Sequence, residues 1–240
     1  MKDNKTIEYF DTNTPEYNVD KLGHAFNFIK KYVKEDSSLI DVGCGTGNIL
    51  EHVYHNLGIH TLCAVDVSSN YLNKTAQRVK CVTHLGSIAD AKFISGIASK
   101  FNFVILSAVL HHLIGATRKE SKKLAVTAIQ NALSLLDKQG ILIIHEPTFY
   151  PPFSMDCVFY IKKYISMLTS RRIGVFGKWN NIGAPVVSYY NNEELLEMVP
   201  QNNYTSIIDT HIDEDNVGLL FRLAFISKRA NMTIIIQKTE

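Results

Sequence analysis

The residues best suited to chemistry begin with three glycines at alternate positions, Gly43, Gly45 and Gly47, which follow Asp41. An apolar run before them predicts a short buried strand, and apolar residues after them predict a helix, so the glycines form the turn between. Such a turn lets a ligand press against the backbone, and the helix N-terminus attracts a carboxylate or phosphate. A dinucleotide site would need G-x-G-x-x-G, but Asn48 takes the sixth position and Asp41 would repel a pyrophosphate. The turn therefore predicts a ligand carrying a cationic group beside an anionic one; a glycine turn without a ligand is the alternative.

This run resembles motif I of the class I S-adenosylmethionine-dependent methyltransferases, with the pattern (D/E)-x-G-x-G-x-G, and in particular those acting on small molecules. Their cofactor, S-adenosyl-L-methionine, carries an ammonium, a sulfonium and a carboxylate. The resemblance implies that Asp41 and the glycine turn hold its amino-acid part, Asp66 its ribose and residues 86–88 its adenine. The cofactor-binding residues so implied are Asp41, Gly43, Cys44, Gly45, Gly47, Asp66, Val67, Ser87, Ile88 and Ser107.

Asp66 ends the second predicted strand, Thr61 to Val65, about 20 residues after the glycine turn. A carboxylate there can accept two hydrogen bonds from ribose hydroxyls, but it can also cap the next predicted helix, and both roles can coexist. Related methyltransferases often carry an aspartate where this chain has Ser87. We therefore expect the Ser87 hydroxyl, or Asp90, to accept the adenine contact.

A second group of candidates follows the predicted strands Phe101 to Leu106 and Ile141 to His145. In parallel α/β sheets ligands bind beyond the carboxyl ends of strands, so we expect this junction to face cofactor and substrate. A histidine pair of this kind is common in small-molecule methyltransferases. We predict His112 as the base that takes a proton from the acceptor, supported by His111 or Glu146. The structural alternatives are a packed histidine and a turn glutamate.

Features missing from the junction narrow the reaction. It has no (D/N)-P-P-(Y/F) motif, no aspartate after the fourth strand to seat a divalent ion, and no Pro-Cys dipeptide. The resemblance then implies metal-independent, in-line displacement onto an oxygen or nitrogen nucleophile of a small molecule, without a metal site. Aromatic residues near the N-terminus and the apolar insertion favour a partly hydrophobic acceptor. A methyltransferase acting on RNA or protein, and an enzyme that binds the cofactor without transferring methyl, are the alternatives.

The elements that must position these residues predict an α/β fold. The resemblance implies a Rossmann-like, seven-stranded, mostly parallel sheet with helices on both faces and an antiparallel last strand. We expect one domain over residues 1–240, with an N-terminal flap at 1–33 and a helical lid insertion at about 148–190. We also predict a helix from about Ser121 to Leu136 that Gly140 stops.

Composition and charge limit the other classes of protein to which the chain could belong. The chain has 240 residues, 46% hydrophobic, with a formal net charge of +2 that gives no electrostatic case for nucleic acid. Its four cysteines lack metal-like spacing and predict reduced thiols. The polar N-terminus does not resemble a secretion signal, and no apolar stretch is long enough for a membrane span. These features predict a cytoplasmic enzyme, and the insertion offers a surface for a homodimer.

Overall fold

A single seven-stranded sheet forms the centre of the molecule in the computed structural model, which describes residues 17–168, 185–200, 203–223 and 225–239. The strands run in the order β3-β2-β1-β4-β5-β7-β6. β7 is antiparallel to both of its neighbours, and the other pairs are parallel. The predicted fold class is therefore confirmed. The strands are β1 (Ser38–Val42), β2 (Thr61–Asp66), β3 (Val82–Leu85), β4 (Phe101–Ser107), β5 (Leu136–Tyr150), β6 (Thr205–Asp215) and β7 (Lys228–Lys238).

Helices cover both faces of this sheet. A 3₁₀ turn (Val19–Leu22) precedes α1, a π-helical turn (Val53–Leu57) extends α2, and a second 3₁₀ turn (Leu110–His112) follows β4. Helices α1, α2 and α3 pack against one face of the sheet, and α4, α5 and α7 pack against the other face. Their bounds are α1 (Gly23–Tyr32), α2 (Asn48–His52), α3 (Ser69–Arg78), α4 (Ala91–Ser95), α5 (Arg118–Ser134), α6 (Pro152–Leu168), α7 (Asn192–Met198) and α8 (Leu219–Leu223).

The two faces follow from the alternation of side chains along each strand. In β4, Phe103 and Ile105 enter the core under α1–α3, whereas Val104 and Leu106 enter the core under α4 and α5. Strands buried on both faces are almost wholly apolar. A carboxylate in such a strand, as at Asp41, therefore needs a separate explanation.

Two predicted boundaries on the β5 side are wrong. Helix α5 ends at Ser134 and Leu135 closes it in a right-handed conformation, while Gly140 lies inside β5. β5 starts at Leu136 because that residue already pairs with Phe101 of β4.

The predicted flap and lid are described only in part, and both stay predictions. Tyr9 and Phe10 of the flap and residues 169–184 of the insertion lie outside the described residues. The insertion begins later than expected, because Thr148 to Tyr150 still belong to β5. None of the described helices combines the length and apolar character that crossing a bilayer would require.

Candidate functional site

The turn from β1 to α2 is built from three glycines in the left-handed conformation, with φ of +77° at Gly43, +54° at Gly45 and +83° at Gly47. A Cβ on Gly43 would lie 2.4 Å from Val109 Cγ2, and one on Gly47 would lie 2.8 Å from Thr75 Cγ2. At Gly45, by contrast, a Cβ would meet no described atom within 4 Å. Packing therefore requires two of the glycines, and Gly45 leaves the backbone open to approach.

Asp66 joins this turn to the end of β2. Its Oδ2 accepts the N–H of Gly45 at 3.0 Å, and its Oδ1 accepts the N–H of Ser68 at 2.9 Å. Ser68, not Asp66, caps α3, because its hydroxyl accepts the N–H of Tyr71 at 3.1 Å. Asp66 is thus a turn aspartate that fixes Gly45, and a carboxylate with about four acceptor positions can also receive hydroxyl groups.

Asp41 lies beneath the turn and is completely buried. It occupies β1 between Ala64 of β2 and Ile105 of β4. Neither of its carboxylate oxygens has a hydrogen-bond partner among the described residues. Burial, and to a lesser extent the charge of Asp66, raises the pKa of Asp41 to about 8. A buried carboxyl group without a partner is unusual, because native proteins satisfy almost all such groups.

The predicted adenine side lies after β3. Ile88 is buried, and its carbonyl accepts the side-chain N–H of Asn131 at 2.7 Å. The Ser87 hydroxyl accepts the N–H of Ala89 at 3.3 Å, a long bond that leaves Ser87 available for another partner. Asp90 caps α4 by accepting the N–H of Phe93 at 3.1 Å. Both Ser87 and Asp90 thus keep acceptor capacity for a further polar contact.

Val67 and Cys44 frame the same edge without offering charge. Val67 is 36% exposed directly after Asp66, so it presents an apolar surface at the carboxyl end of β2. Cys44 is buried, and burial raises the pKa of its thiol above the usual range. It therefore stays protonated and contributes packing. Within the described ranges no three His, Cys, Asp or Glu side chains are grouped to hold a metal ion.

The end of β4 brings the N-terminal segment into the site. The Ser107 hydroxyl donates to the phenol oxygen of Tyr17 at 2.8 Å, and burial raises the pKa of Tyr17 to about 12. Ala108 follows with a positive φ of 56°, so the chain turns sharply as it leaves the strand. One aromatic residue of the predicted flap thus lies against a predicted cofactor-binding residue.

Glu146 holds the loop that follows β4. Its Oε1 accepts the N–H groups of Val109 and Leu110, each at 2.6 Å, and its Oε2 lies 2.6 Å from Nδ1 of His111. The side chain is 1% exposed. Prediction had put Glu146 at the end of a strand, whereas it lies within β5, opposite Met232 of β7. These contacts make Glu146 a positioning residue.

The two histidines belong to a stack of aromatic rings. The ring centroids of His111 and His112 are 4.0 Å apart, those of His111 and Tyr189 are 5.0 Å apart, and those of Tyr189 and Phe149 are 4.5 Å apart. Burial, then the neighbouring His111 and the charge of Lys162, lowers the pKa of His112 well below its usual value. His112 is therefore neutral at pH 7, the form that accepts a proton.

Sequence reasoning missed Tyr189 and Lys162. Tyr189 precedes the N-cap Asn191, so its local pattern signals only a helix start. Lys162 is one of two adjacent lysines in the largely apolar helix α6, and that pair of charges was the available signal.

Comparison with known proteins agrees with this arrangement. A family profile described as a methyltransferase domain matches residues 15–210 of the 240-residue chain. The match covers most of the chain, including the glycine turn, Asp66, the histidine pair and Glu146. The chain therefore belongs to the class I S-adenosylmethionine-dependent methyltransferase family, and S-adenosyl-L-methionine is its cofactor.

Solved structures share the fold at low identity. The N-methyltransferase NodS from Bradyrhizobium japonicum WM9, solved with S-adenosyl-l-homocysteine, is 13% identical with a TM-score of 0.60, covering 99% of this chain and 100% of that one. A SAM-dependent methyltransferase from Anabaena variabilis ATCC 29413 is also 13% identical, with a TM-score of 0.64, covering 98% and 94%.

A curated relative matches over a shorter region. The ribosomal protein L11 methyltransferase of Thermotoga neapolitana is 32% identical over 78 residues, which are 32% of this chain and 29% of that protein. The match thus spans about three-tenths of the length of that relative.

The residues present fit the cofactor. Asp41 offers a buried carboxylate with no described partner, which suits the ammonium of the amino-acid part. The backbone at Gly45 leaves the space that a Cβ would fill. Asp66 presents its carboxylate beside that opening, where ribose hydroxyls can donate to it. Charge and space therefore complement the cofactor at the same edge of the sheet.

Proposed function

We propose that this protein transfers a methyl group from S-adenosyl-L-methionine to an oxygen or nitrogen nucleophile of a small, partly hydrophobic molecule, without a metal ion. The observation that carries the proposal is the histidine pair, held by Glu146 on the loop next to the glycine turn. Val109 of that loop packs on Gly43, so the histidine pair and the cofactor turn share one edge of the sheet. The roles proposed below for the other residues all refer to this junction.

The cofactor, when bound, supplies a methyl group on a sulfonium that already makes a good leaving group. Asp41 and the backbone at Gly45 hold its amino-acid end, and Asp66 holds its ribose. The protein's work is then mainly positioning and exclusion of water. Tyr189, which is partly exposed and lies against His111, adds aromatic surface beside the histidine pair, which favours a partly hydrophobic acceptor.

His112 has the proton-accepting role. The acceptor's O–H or N–H proton would pass to its neutral imidazole as the nucleophile bonds to the methyl carbon, while the bond from that carbon to sulfur would break and S-adenosylhomocysteine would leave as the thioether. His111 packs against the His112 ring and is itself fixed by Glu146. Glu146 therefore orients His112 through His111, and His112 contacts the acceptor.

The test is release of S-adenosylhomocysteine from S-adenosylmethionine, driven by host extract split by size. We expect the small-molecule fraction to drive release. His112→Ala should lower turnover at least 100-fold, the lower range of general-base contributions, while the Kd for S-adenosylhomocysteine stays within twofold. His60→Ala, an exposed histidine at the start of β2, is the matched control and should leave turnover unchanged. Turnover that survives in His112→Ala would show that proximity alone suffices.

A protein or RNA acceptor is the second candidate, favoured by the partial match to ribosomal protein L11 methyltransferases. Release driven only by the macromolecular fraction would select it. If neither fraction drives release but the cofactor binds, a role for bound cofactor without methyl transfer becomes the better explanation.

A further inference from the structure

Two consecutive lysines of α6 have different surroundings. The Nζ of Lys163 donates to the backbone carbonyls of Gly115 and Ala116, at 3.1 and 2.5 Å. The Nζ of Lys162 is buried and has no hydrogen-bond partner among the described residues. A buried ammonium without an acceptor is costly, because it loses its hydration and gains nothing in return. Lys162 therefore requires a functional explanation that Lys163 does not.

Helix α6 is fixed against the loop that carries the histidine pair. Lys163 binds the loop at Gly115 and Ala116, and Asp156 lies 3.1 Å from Arg118 at the start of α5. The charge of Lys162 contributes to lowering the pKa of His112, so the ammonium is within electrostatic range of that ring. Lys162 thus brings positive charge to the acceptor side of the junction.

The carboxylates that bind the histidine loop and the start of α5 already serve other groups, and burial alone shifts the pKa of Lys162. Glu146 is occupied by two backbone N–H groups and His111, while Asp156 and Glu194 pair with Arg118. Burial lowers the pKa of Lys162 to about 8, which leaves the amine mostly protonated at pH 7. A cation, not a free amine, therefore faces the site at neutral pH.

We propose that Lys162 binds an anionic oxygen group of the acceptor, a carboxylate or a phosphate, while the nucleophile of the same molecule meets His112. This inference rests on the proposed function, because it assigns the acceptor's charge at that site. It narrows the acceptor class to small molecules that carry both an anion and a nucleophilic oxygen or nitrogen. Lys162 is then a specificity-determining residue supplied by the lid helix.

The test measures binding of simple probes to the full-length protein, with and without S-adenosylhomocysteine. Benzoate, phenyl phosphate and the uncharged benzamide are titrated while histidine ring signals are followed by NMR. We expect at least one anion to bind tenfold or more tightly than benzamide and to shift the His112 signals; the tighter anion identifies the acceptor group. Lys162→Met should weaken that anion at least tenfold, and Lys162→Arg should retain binding within about threefold.

The matched control is Lys119→Met, which removes one exposed positive charge near the start of α5 and should leave anion binding within twofold. Lys162→Gln provides a second neutral variant if methionine disturbs packing. Equal binding of benzamide and both anions, or unchanged anion binding in the neutral Lys162 variants, overturns the proposal. If the wild-type protein does not bind S-adenosylhomocysteine, that result counts against the proposed function. The anion titrations made without S-adenosylhomocysteine still test the role of Lys162 on their own.

Discussion

Replacement of Asp41 by asparagine should abolish a pH dependence of cofactor binding. In the free protein the pKa of Asp41 is raised to about 8, so at pH 7 about nine molecules in ten hold the proton. An ammonium placed beside the carboxyl group favours the ionised form. Binding of S-adenosylhomocysteine, which keeps the amino-acid ammonium, should therefore release about 0.9 proton at pH 7.

The magnitude follows from the same linkage. Below pH 7.5 the α-amino group of the ligand is still largely charged. Each pH unit below the pKa of Asp41 adds about 1.4 kcal/mol to the free energy of ionising its carboxyl group. The Kd of the wild type should thus fall about tenfold from pH 6 to pH 7. In Asp41→Asn the Kd should be flat over this range and weaker at pH 7, because the charged contact is absent.

Isothermal titration calorimetry at pH 6.0, 6.5 and 7.0, in buffers of different ionisation enthalpy, measures both affinity and protons released. Asp137→Asn, an exposed aspartate at the other end of the sheet, is the control and should keep the wild-type slope. The reasoning fails if wild-type binding releases no proton, or if Asp41→Asn keeps the same slope.

Four further substitutions test separate parts of the site. Gly45→Ala, at a left-handed position with open space, should cost about 1–2 kcal/mol in stability and raise the Kd for S-adenosylhomocysteine at least tenfold. Gly43→Ala, which meets Val109 at 2.4 Å, should lower the Tm further; equal Tm values would contradict this. Asp66→Ala should raise the same Kd at least 100-fold by calorimetry, and an unchanged value would refute the assignment. Glu146→Gln places an amide N–H against a backbone or ring donor and should cost about 1–3 kcal/mol, seen as a lower Tm with unchanged cofactor affinity; loss of affinity at full stability would contradict it.

The sequence predicted those elements whose position is set by residues that are neighbours in the chain. Helix α3 is such a case, because Ser68 supplies the cap that starts the helix at Ser69. The glycine turn was equally accessible, since positive φ values at alternate residues leave little choice but glycine. The predicted roles of Asp41 and Asp66 at the cofactor edge came from the family resemblance that this turn carries.

Long-range pairing explains the rest. Glu146 and Pro147 read as a strand end, yet β5 continues because β7, far along the chain, pairs with it there. Gly140 looked like a helix stop, but the pairing of Leu136 with Phe101 already starts the strand before it. The placement of α6 depends on contacts with a loop 48 residues earlier in the chain, as between Lys163 and Gly115, which no local pattern encodes.

The pairing of β4 with β5 ends at Ser107 and His145, where the two parallel strands part. Just beyond, the Glu146 side chain accepts the N–H groups of Val109 and Leu110, which a continuing strand would otherwise have to satisfy. The Glu146 carboxylate thus takes the place of the carbonyl groups of a neighbouring strand, and it links the histidine loop to the sheet. The sheet itself, through Glu146, therefore fixes His111 relative to the cofactor edge, independently of the contacts that α6 makes with the same loop.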